Sequence, residues 1–255
     1  MRTRLGTLLT LLAAAGGPAL ADPQATSSFV PVQVQDALVV RTGALTLQGT
    51  GVYTRDDHNS RGEDLLNLTP TLKLGPMKGV QLDVSVPYAV GNQSSASQGS
   101  AGLDAIYQFT DPTPTRPALA VQAGYRTPYG AGHKSAEYFA RGLATQWLGP
   151  NDKSPRLHLN LDWTHVTTPS ATGRRDILEI GGAYSMLLSE HVALVVDIVH
   201  GAKSTEGQNQ TIVDAGVNWE LSDGWLLAGA AGAGIGQQSP AFRVIFAFQK
   251  GFQLF

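Results

Sequence analysis

The chain has 255 residues, 42% of them hydrophobic but only 15% charged, with 29 Gly, no Cys and a net charge of −2. The charged share is well below the roughly 25% usual for soluble domains, and the near-neutral balance offers no electrostatic footprint for nucleic acid. Without Cys there is no disulfide framework, no thiolate metal centre and no lipid-bearing Cys anchor.

Residues 1–21, "MRTRLGTLLTLLAAAGGPALA", carry a basic start, an apolar run from Leu5 to Ala15 and a terminal Ala-Leu-Ala. That order is predicted to be a secretory signal peptide cleaved after Ala21. Beyond it no run of about 20 apolar residues appears, so a helical membrane span is not expected. Residues 22–43 include "VPVQVQ", an alternating stretch broken by Pro31. They read either as a periplasmic N-terminal segment or as a partial plug folded inward.

From residue 44 to 255 the pattern changes to short alternating segments between turn residues. Twelve follow in chain order: 44–53, 65–74, 80–88, 101–109, 118–126, 138–148, 156–165, 176–187, 192–200, 211–220, 225–235 and 242–252. In 80–88, Val80, Leu82, Val84, Val86 and Tyr88 share one face, and Gln81, Asp83 and Ser85 the other. In 156–165, Leu157, Leu159, Leu161 and Trp163 oppose Arg156, His158, Asn160 and Asp162. The last segment sets Phe242, Val244, Phe246, Phe248 and Phe252 on one side. Alternate side chains of a strand point to opposite faces, so each segment is a strand with one apolar side.

A soluble sandwich would show the same period. Two further features separate the readings. Aromatic residues gather at strand ends, as Tyr53, Tyr88, Tyr107, Phe109, Tyr125, Trp147, Trp163, Trp219 and Trp225, where barrels in bilayers carry their girdles. The connections also alternate, long polar ones such as "AVGNQSSASQGS" against short ones such as "GPMKG" and "LSDG"; only "GQQSP" is short on the long side. The predicted fold is therefore all-β: a transmembrane antiparallel barrel of about twelve strands, with long extracellular loops, short periplasmic turns and both termini in the periplasm.

Strand parity then sorts the polar residues. Lys73, Asp83, Asp104, Gln108, Gln122, Arg126, His158, Asn160, Asp162, Glu179, Asp197, Asp214, Asn218 and Arg243 are predicted to line the lumen, with Gln48, Asn67 and Gln249 beside them. A charge turned to lipid at mid-bilayer costs about 2–4 kcal/mol for Arg or Lys, which drives them inward. Lys250 has the outward parity but lies near a periplasmic end, where it can snorkel. Six acids against Lys73, Arg126 and Arg243 give a mixed, acid-leaning wall suited to polar or weakly cationic solutes. The alternative is a salt-bridged filling of side chains in a narrow barrel.

No enzyme is expected. His133 with Ser135, and His200 with Ser204, are the nearest approach to an outer-membrane lipid hydrolase, but both pairs fall in loops without an orienting third group. His58 with Asp56 and Asp57 matches no metal-ligand spacing. Asp162 and Glu179 can face each other as paired carboxylates, although a lumen charge ring is the simpler role. "GAAGAGIG" lacks the strand-to-helix setting of a phosphate loop and reads as a thin strand beside something bulky. No cofactor or metal is implied.

Several stretches together resemble a family of outer-membrane proteins, the "putative MetA-pathway of phenol degradation" group. They are "GALTLQGTGVYTRD", "LTPTLKLGPMKGVQLDVSVPY", "GLDAIYQF" with Gly102 and Asp104, "AGYRTPYG", "LHLNLDW" and "SPAFRVIFAFQKGF". The likeness runs from about 43 to 252. The family's Pro-Thr-Gly element reads Pro128-Tyr129-Gly130 here, and the in-phase terminal aromatic is Phe252 rather than Phe255. The resemblance implies a Gram-negative outer-membrane channel for passive passage of small solutes, with aromatic or other hydrophobic compounds as candidate cargo. It also implies outer-membrane lipids and the barrel-assembly machinery, which reads the C-terminal strand, as partners. It transfers no binding residues. A structural or adhesive barrel with a blocked lumen is the rival.

Overall fold

The computed structural model describes residues 33–56, 63–93, 97–130, 135–151 and 153–255, the side chain of Asp223 apart. The predicted signal peptide, and His58, Asp57 and His133, lie outside the described residues. Thirteen strand segments form one antiparallel sheet. They are β1 (Ala44–Asp56), β2 (Glu63–Met77), β3 (Val80–Ser85), β4 (Tyr88–Gly91), β5 (Gln98–Thr110), β6 (Ala118–Gly130) and β7 (Glu137–Trp147), then β8 (Arg156–Val166), β9 (Asp176–Leu187), β10 (Val192–Ala202), β11 (Asn209–Glu220), β12 (Trp225–Ile235) and β13 (Phe242–Gln253). β3 and β4 are two halves of one strand, each paired with β2 and β5, so the wall has twelve staves.

The interruption has a chemical cause. The segment predicted as one strand over 80–88 breaks at Val86-Pro87, because Pro87 has no N–H to give the ladder. The neighbouring groups bridge the gap: Val86 N–H donates to Pro70 O at 3.1 Å and Ser100 N–H to Pro87 O at 3.0 Å. Several strands also run beyond their predicted ends, β2 by two residues at its start and three at its finish. The added residues, such as Glu63-Asp64 and Gly75-Pro76-Met77 of β2, carry no apolar alternation to mark them.

The sheet closes because β1 pairs with β13 along its length, from Ala44 opposite Gln253 to Arg55 opposite Phe242. Backbone groups facing a bilayer core have no water to bond to, so an open edge there would leave them unpaired. The seam is tightened by outward-facing glycines. Gly49 lies opposite Phe248 and Gly51 opposite Phe246, and the phenyl rings lie over the space where their side chains would be. "GTG" in β1 is thus the complement of "FAF" in β13.

Outward parity is apolar all round. Leu103, Tyr107, Leu157, Leu159, Leu161, Leu178, Ile198, Phe246 and Phe248 are among many large hydrophobic residues exposed on the outer face. Aromatic pairs mark both ends of the band. Tyr53–Phe242, Tyr88–Tyr129 and Tyr125–Tyr138, with ring centroids 5.9, 6.2 and 5.0 Å apart, sit toward the long loops. Tyr107–Phe109 and Trp225–Phe248, 6.5 and 6.3 Å apart, sit toward the short turns. Lys250, outward as predicted, lies over the Trp225 and Phe252 rings. Trp147 departs from the predicted girdle: it takes the inward parity of buried Leu143 and Thr145, and its indole nitrogen is buried.

The fit of Phe246 over Gly51 makes a prediction. Gly51→Val drives two methyls into the ring and is expected to destabilise the folded barrel by about 1–3 kcal/mol. A lowered urea midpoint in detergent, partly restored by adding Phe246→Ala, is the expected reading; an unchanged midpoint would show that the seam does not depend on this contact.

Candidate functional site

The inner wall is organised by cross-strand rungs, since residues opposite one another in the ladder share a face. Lys73 lies opposite Asp83, and Asp83 opposite Asp104. Gln81 Nε2 donates to both Asp83 oxygens at 2.8 and 2.9 Å, and Gln122 Nε2 donates to Asp104 Oδ2 at 2.5 Å. A neighbouring rung runs Gln122, Arg141, Asp162, Glu179. Arg141 Nε donates to Asp162 Oδ1 at 2.6 Å. Asp162 and Glu179 do face each other across β8 and β9, but Arg141 is already engaged by the first of them, as in a structural charge ring. Arg126 lies 3.7 Å from Glu137 and stacks over the Phe139 ring.

The other half of the wall carries a third rung: Thr145, His158, Ala183, Asp197, Asp214, Gly232, Arg243. His158 is buried between two hydroxyls, with Nδ1 3.0 Å from Thr145 Oγ1 and Nε2 2.9 Å from Ser185 Oγ. Arg243 Nε donates to Asp214 Oδ1 at 2.6 Å, and Nη2 bonds the second oxygen. Both partners are almost wholly buried. This ion pair reaches across an intervening strand, and Gly232 lies in register between the two residues. A side chain at Gly232 would collide with the Asp214 carboxylate. The bulky neighbour that the thin "GAAGAGIG" strand accommodates is this carboxylate–guanidinium bridge.

Thus Lys73, Asp83, Asp104, Gln122, His158, Asn160, Asp197, Asp214, Asn218 and Arg243 are buried on the interior side, and Gln108, Arg126, Asp162 and Glu179 are partly buried there. Arg141 and Gln81 belong to the same networks. Arg141 stayed hidden in the sequence because its strand has apolar residues on both faces, Phe139 and Leu143 inward and Tyr138 outward. Its signal was available in parity with Leu143 and in its position opposite Asp162.

Residues 33–40 run inside the barrel, bound to this wall. Gln33 N–H and Val34 N–H donate to Asp197 Oδ2 at 2.8 and 3.2 Å. Arg141 Nη1 donates to Gln35 Oε1 at 3.0 Å, and the Asn160 amide, oriented by its network, takes the Gln35 N–H at 2.8 Å and donates to Gln35 O at 2.7 Å. Ala37 N–H reaches Thr145 Oγ1 at 2.9 Å, Val39 N–H reaches Gln108 Oε1 at 3.2 Å and Val40 N–H reaches Gln81 Oε1 at 2.8 Å. Backbone without a strand partner must find bonds elsewhere, and side-chain acceptors of the wall supply them. Ala37 also packs with Ile106, Ala118, Ala120 and Leu143, and Val34 with Ala183 and Val199. Beside this strap a cavity of about 140 Å³ is lined by Gln33, Arg141, Asn160, Asp162 and Glu179. A wider concavity of about 620 Å³ lies on the outer face, among Leu157, Leu159, Tyr184, Val196 and Ile198 beside Gly182, and belongs to the apolar surface.

The hydrolase candidates take other partners. His200 Nδ1 lies 2.8 Å from Thr211 Oγ1, and Ser135 Oγ accepts from Thr168 N–H at 2.9 Å. Asp56 lies 3.9 Å from Lys203 Nζ.

Among solved structures, the chain is similar in fold to an outer-membrane channel from Pseudomonas putida F1. The TM-score is 0.64 at 12% identity, over 87% of this chain and 100% of that one. It is similar also to the KdgM porin, at 0.52 and 12% over 81% and 99%. The β domain of the Bordetella autotransporter BrkA gives 0.52 and 11% over 82% and 99%. The shared feature is the closed outer-membrane barrel fold. No family model matches the chain, and no curated protein matches its sequence.

Asp214→Ala leaves the Arg243 guanidinium buried without its partner and is expected to cost about 3–5 kcal/mol of folding stability. Replacing both, as Asp214→Leu with Arg243→Met, should recover most of that loss in the same urea titration. A single variant as stable as the parent would mean that the pair is not the tie across β12.

Proposed function

We propose that the chain is an outer-membrane channel for the passive passage of small solutes in a Gram-negative bacterium. One observation carries the reading: the closed wall is predominantly apolar outward, and its charged and amide side chains gather on the inward face among apolar residues such as Ile106, Leu143, Val195 and Ile245. Such a wall suits lipid outside and a polar path inside. The similarity in fold to an outer-membrane channel and to a porin supports the same reading. Aromatic or other hydrophobic compounds are its candidate cargo, following the resemblance of the strand motifs. Outer-membrane lipids and the barrel-assembly machinery are its proposed partners, the latter through β13 with its outward Phe252. The proposed pore residues are the inner-wall groups from Lys73 to Arg243 described above.

A second reading, a structural barrel with a blocked lumen, is favoured by the strap and by the ion pairs that close on one another. Planar-bilayer recording of the refolded chain, run beside liposome swelling with small aromatic acids and sugars, separates the two. Discrete conducting steps or swelling with one solute class support the channel. A folded barrel silent in both assays would overturn it in favour of the blocked form.

The wall acids are expected to set ion preference. Asp104→Asn combined with Asp162→Asn should shift the reversal potential in a salt gradient toward lower cation preference. Identical potentials for the pair of channels would remove these acids from the selectivity mechanism.

A further inference from the structure

The cavity of about 140 Å³ beside the strap has a lining of two kinds. Its floor is Gly181 with Val199, opposite it on β10, and Val34 of the strap. Its rim belongs to the next inward rung, which runs Arg141, Asp162, Glu179, Gly201. Asp162 and Glu179 are opposite each other in the ladder, yet their side chains lean apart. Asp162 turns back to Arg141, whose Nε donates to its Oδ1 at 2.6 Å. Glu179 turns the other way and lies over Gly201, in the space that a side chain there would fill. Where the two facing carboxylates part, room is left between them.

The charges around this room do not balance. Arg141 is held by Asp162 and by Gln35 Oε1, and Arg243 is held by Asp214. The Gln210 amide hydrogen-bonds Glu179 from beyond Gly201. Among the described residues no Lys, Arg or His stands within ion-pair distance of Glu179. The cavity therefore has one carboxylate more than its cations, and a carboxylate drawn partly out of water favours a counter-charge. Asp162 and Glu179 are only partly buried, so a solute in the lumen can reach both.

We propose that this cavity is a binding site for a small primary ammonium with a short hydrocarbon tail. The three N–H groups of an ammonium can be shared among Glu179, the Asp162 oxygen that Arg141 leaves, and the Gln33 side chain. The tail then lies on Val34 and Val199, which pack together with Ala183. A bare hard cation suits the lining less. It takes about six to eight oxygens, and among the described residues no three acidic or His side chains stand together to hold a metal. An apolar cavity of about 150 Å³ holds benzene, so a solute of about five or six heavy atoms fits. An anion would meet Glu179 with no free cation to offset it. Because Gln33 and Val34 belong to the strap, the site is complete only with the strap seated. The proposal names a solute class for the channel reading and rests on that reading for access to the lumen.

The test titrates the refolded chain in non-ionic detergent by isothermal calorimetry with n-butylammonium, n-butanol and tetramethylammonium. The alcohol has the tail without the charge, and the quaternary ion has the charge without N–H donors. Saturable binding of butylammonium is expected, about tenfold tighter than either of the others. Glu179→Gln should weaken it about tenfold, whereas Glu190→Gln, on an exposed short turn, should leave it unchanged. Heat-modifiable gel mobility shows that each sample is folded. Equal binding of butylammonium and tetramethylammonium, or equal affinity in the parent and Glu179→Gln, would overturn the proposal and leave the cavity to water only. If Glu179→Gln does not fold, the comparison of the three compounds on the parent still decides. A chain that conducts in bilayers but binds no butylammonium loses the site and keeps the channel. A folded chain that binds it without conducting keeps the site and loses the channel.

Discussion

Closure of the β1–β13 seam is the constraint on which the rest of the structure depends. In an open sheet the groups from Ala44 to Arg55 and from Phe242 to Gln253 would face hydrocarbon unpaired, and each such group costs several kcal/mol in that medium. Once the seam is closed, every strand has two neighbours, and each side chain has only two directions. Outward positions then answer to lipid and inward positions to one another. The glycines of β1 belong to this step, because they let the Phe246 and Phe248 rings lie flat along the join.

The interior follows a second rule, that no backbone or charge is enclosed without a bond. The ladder satisfies the wall, but the strap of residues 33–40 has no ladder. Its N–H groups instead meet carboxylate, amide and hydroxyl oxygens projecting from β3, β5, β7, β8 and β10. The acceptors come from strands far apart in the chain, so the course of the strap depends on the tertiary arrangement of the barrel and not on local sequence.

How far this was legible from residues alone depended on the period. Strands such as 80–88 and 156–165, with one clean apolar face, revealed the wall and the direction of Asp83, His158, Asn160 and Asp162. The strand bearing Arg141 has Phe139 and Leu143 on its inner side, so parity was blurred and a base that pairs with Asp162 was missed. Trp147 lay at a strand end, where either parity suits an aromatic residue. The break at Pro87 was readable from the missing N–H but was masked by the uninterrupted outward run from Val80 to Tyr88. The strap showed only the alternation of "VPVQVQ" broken by Pro31, which left a periplasmic segment and an inward plug both open, because its partners are contributed by side chains on five different strands.

The distribution of charge inside bears on what the interior can do. Asp214 is held by Arg243, Asp162 by Arg141, and Asp104 and Asp83 by glutamine amides. Groups tied to one another offer a passing solute less than their number implies, because any new bond must break an existing one. The acid excess apparent from the sequence is accordingly reduced, with Arg141, and Arg156 on the face of His158, adding to the bases of the wall. Recognition then falls to groups that are not already engaged. Among the described residues Asp197 Oδ1 and Gln122 Oε1 lack a hydrogen-bond partner as the Asn218 and Gln249 amides do, so the unengaged groups include a carboxylate as well as neutral amides.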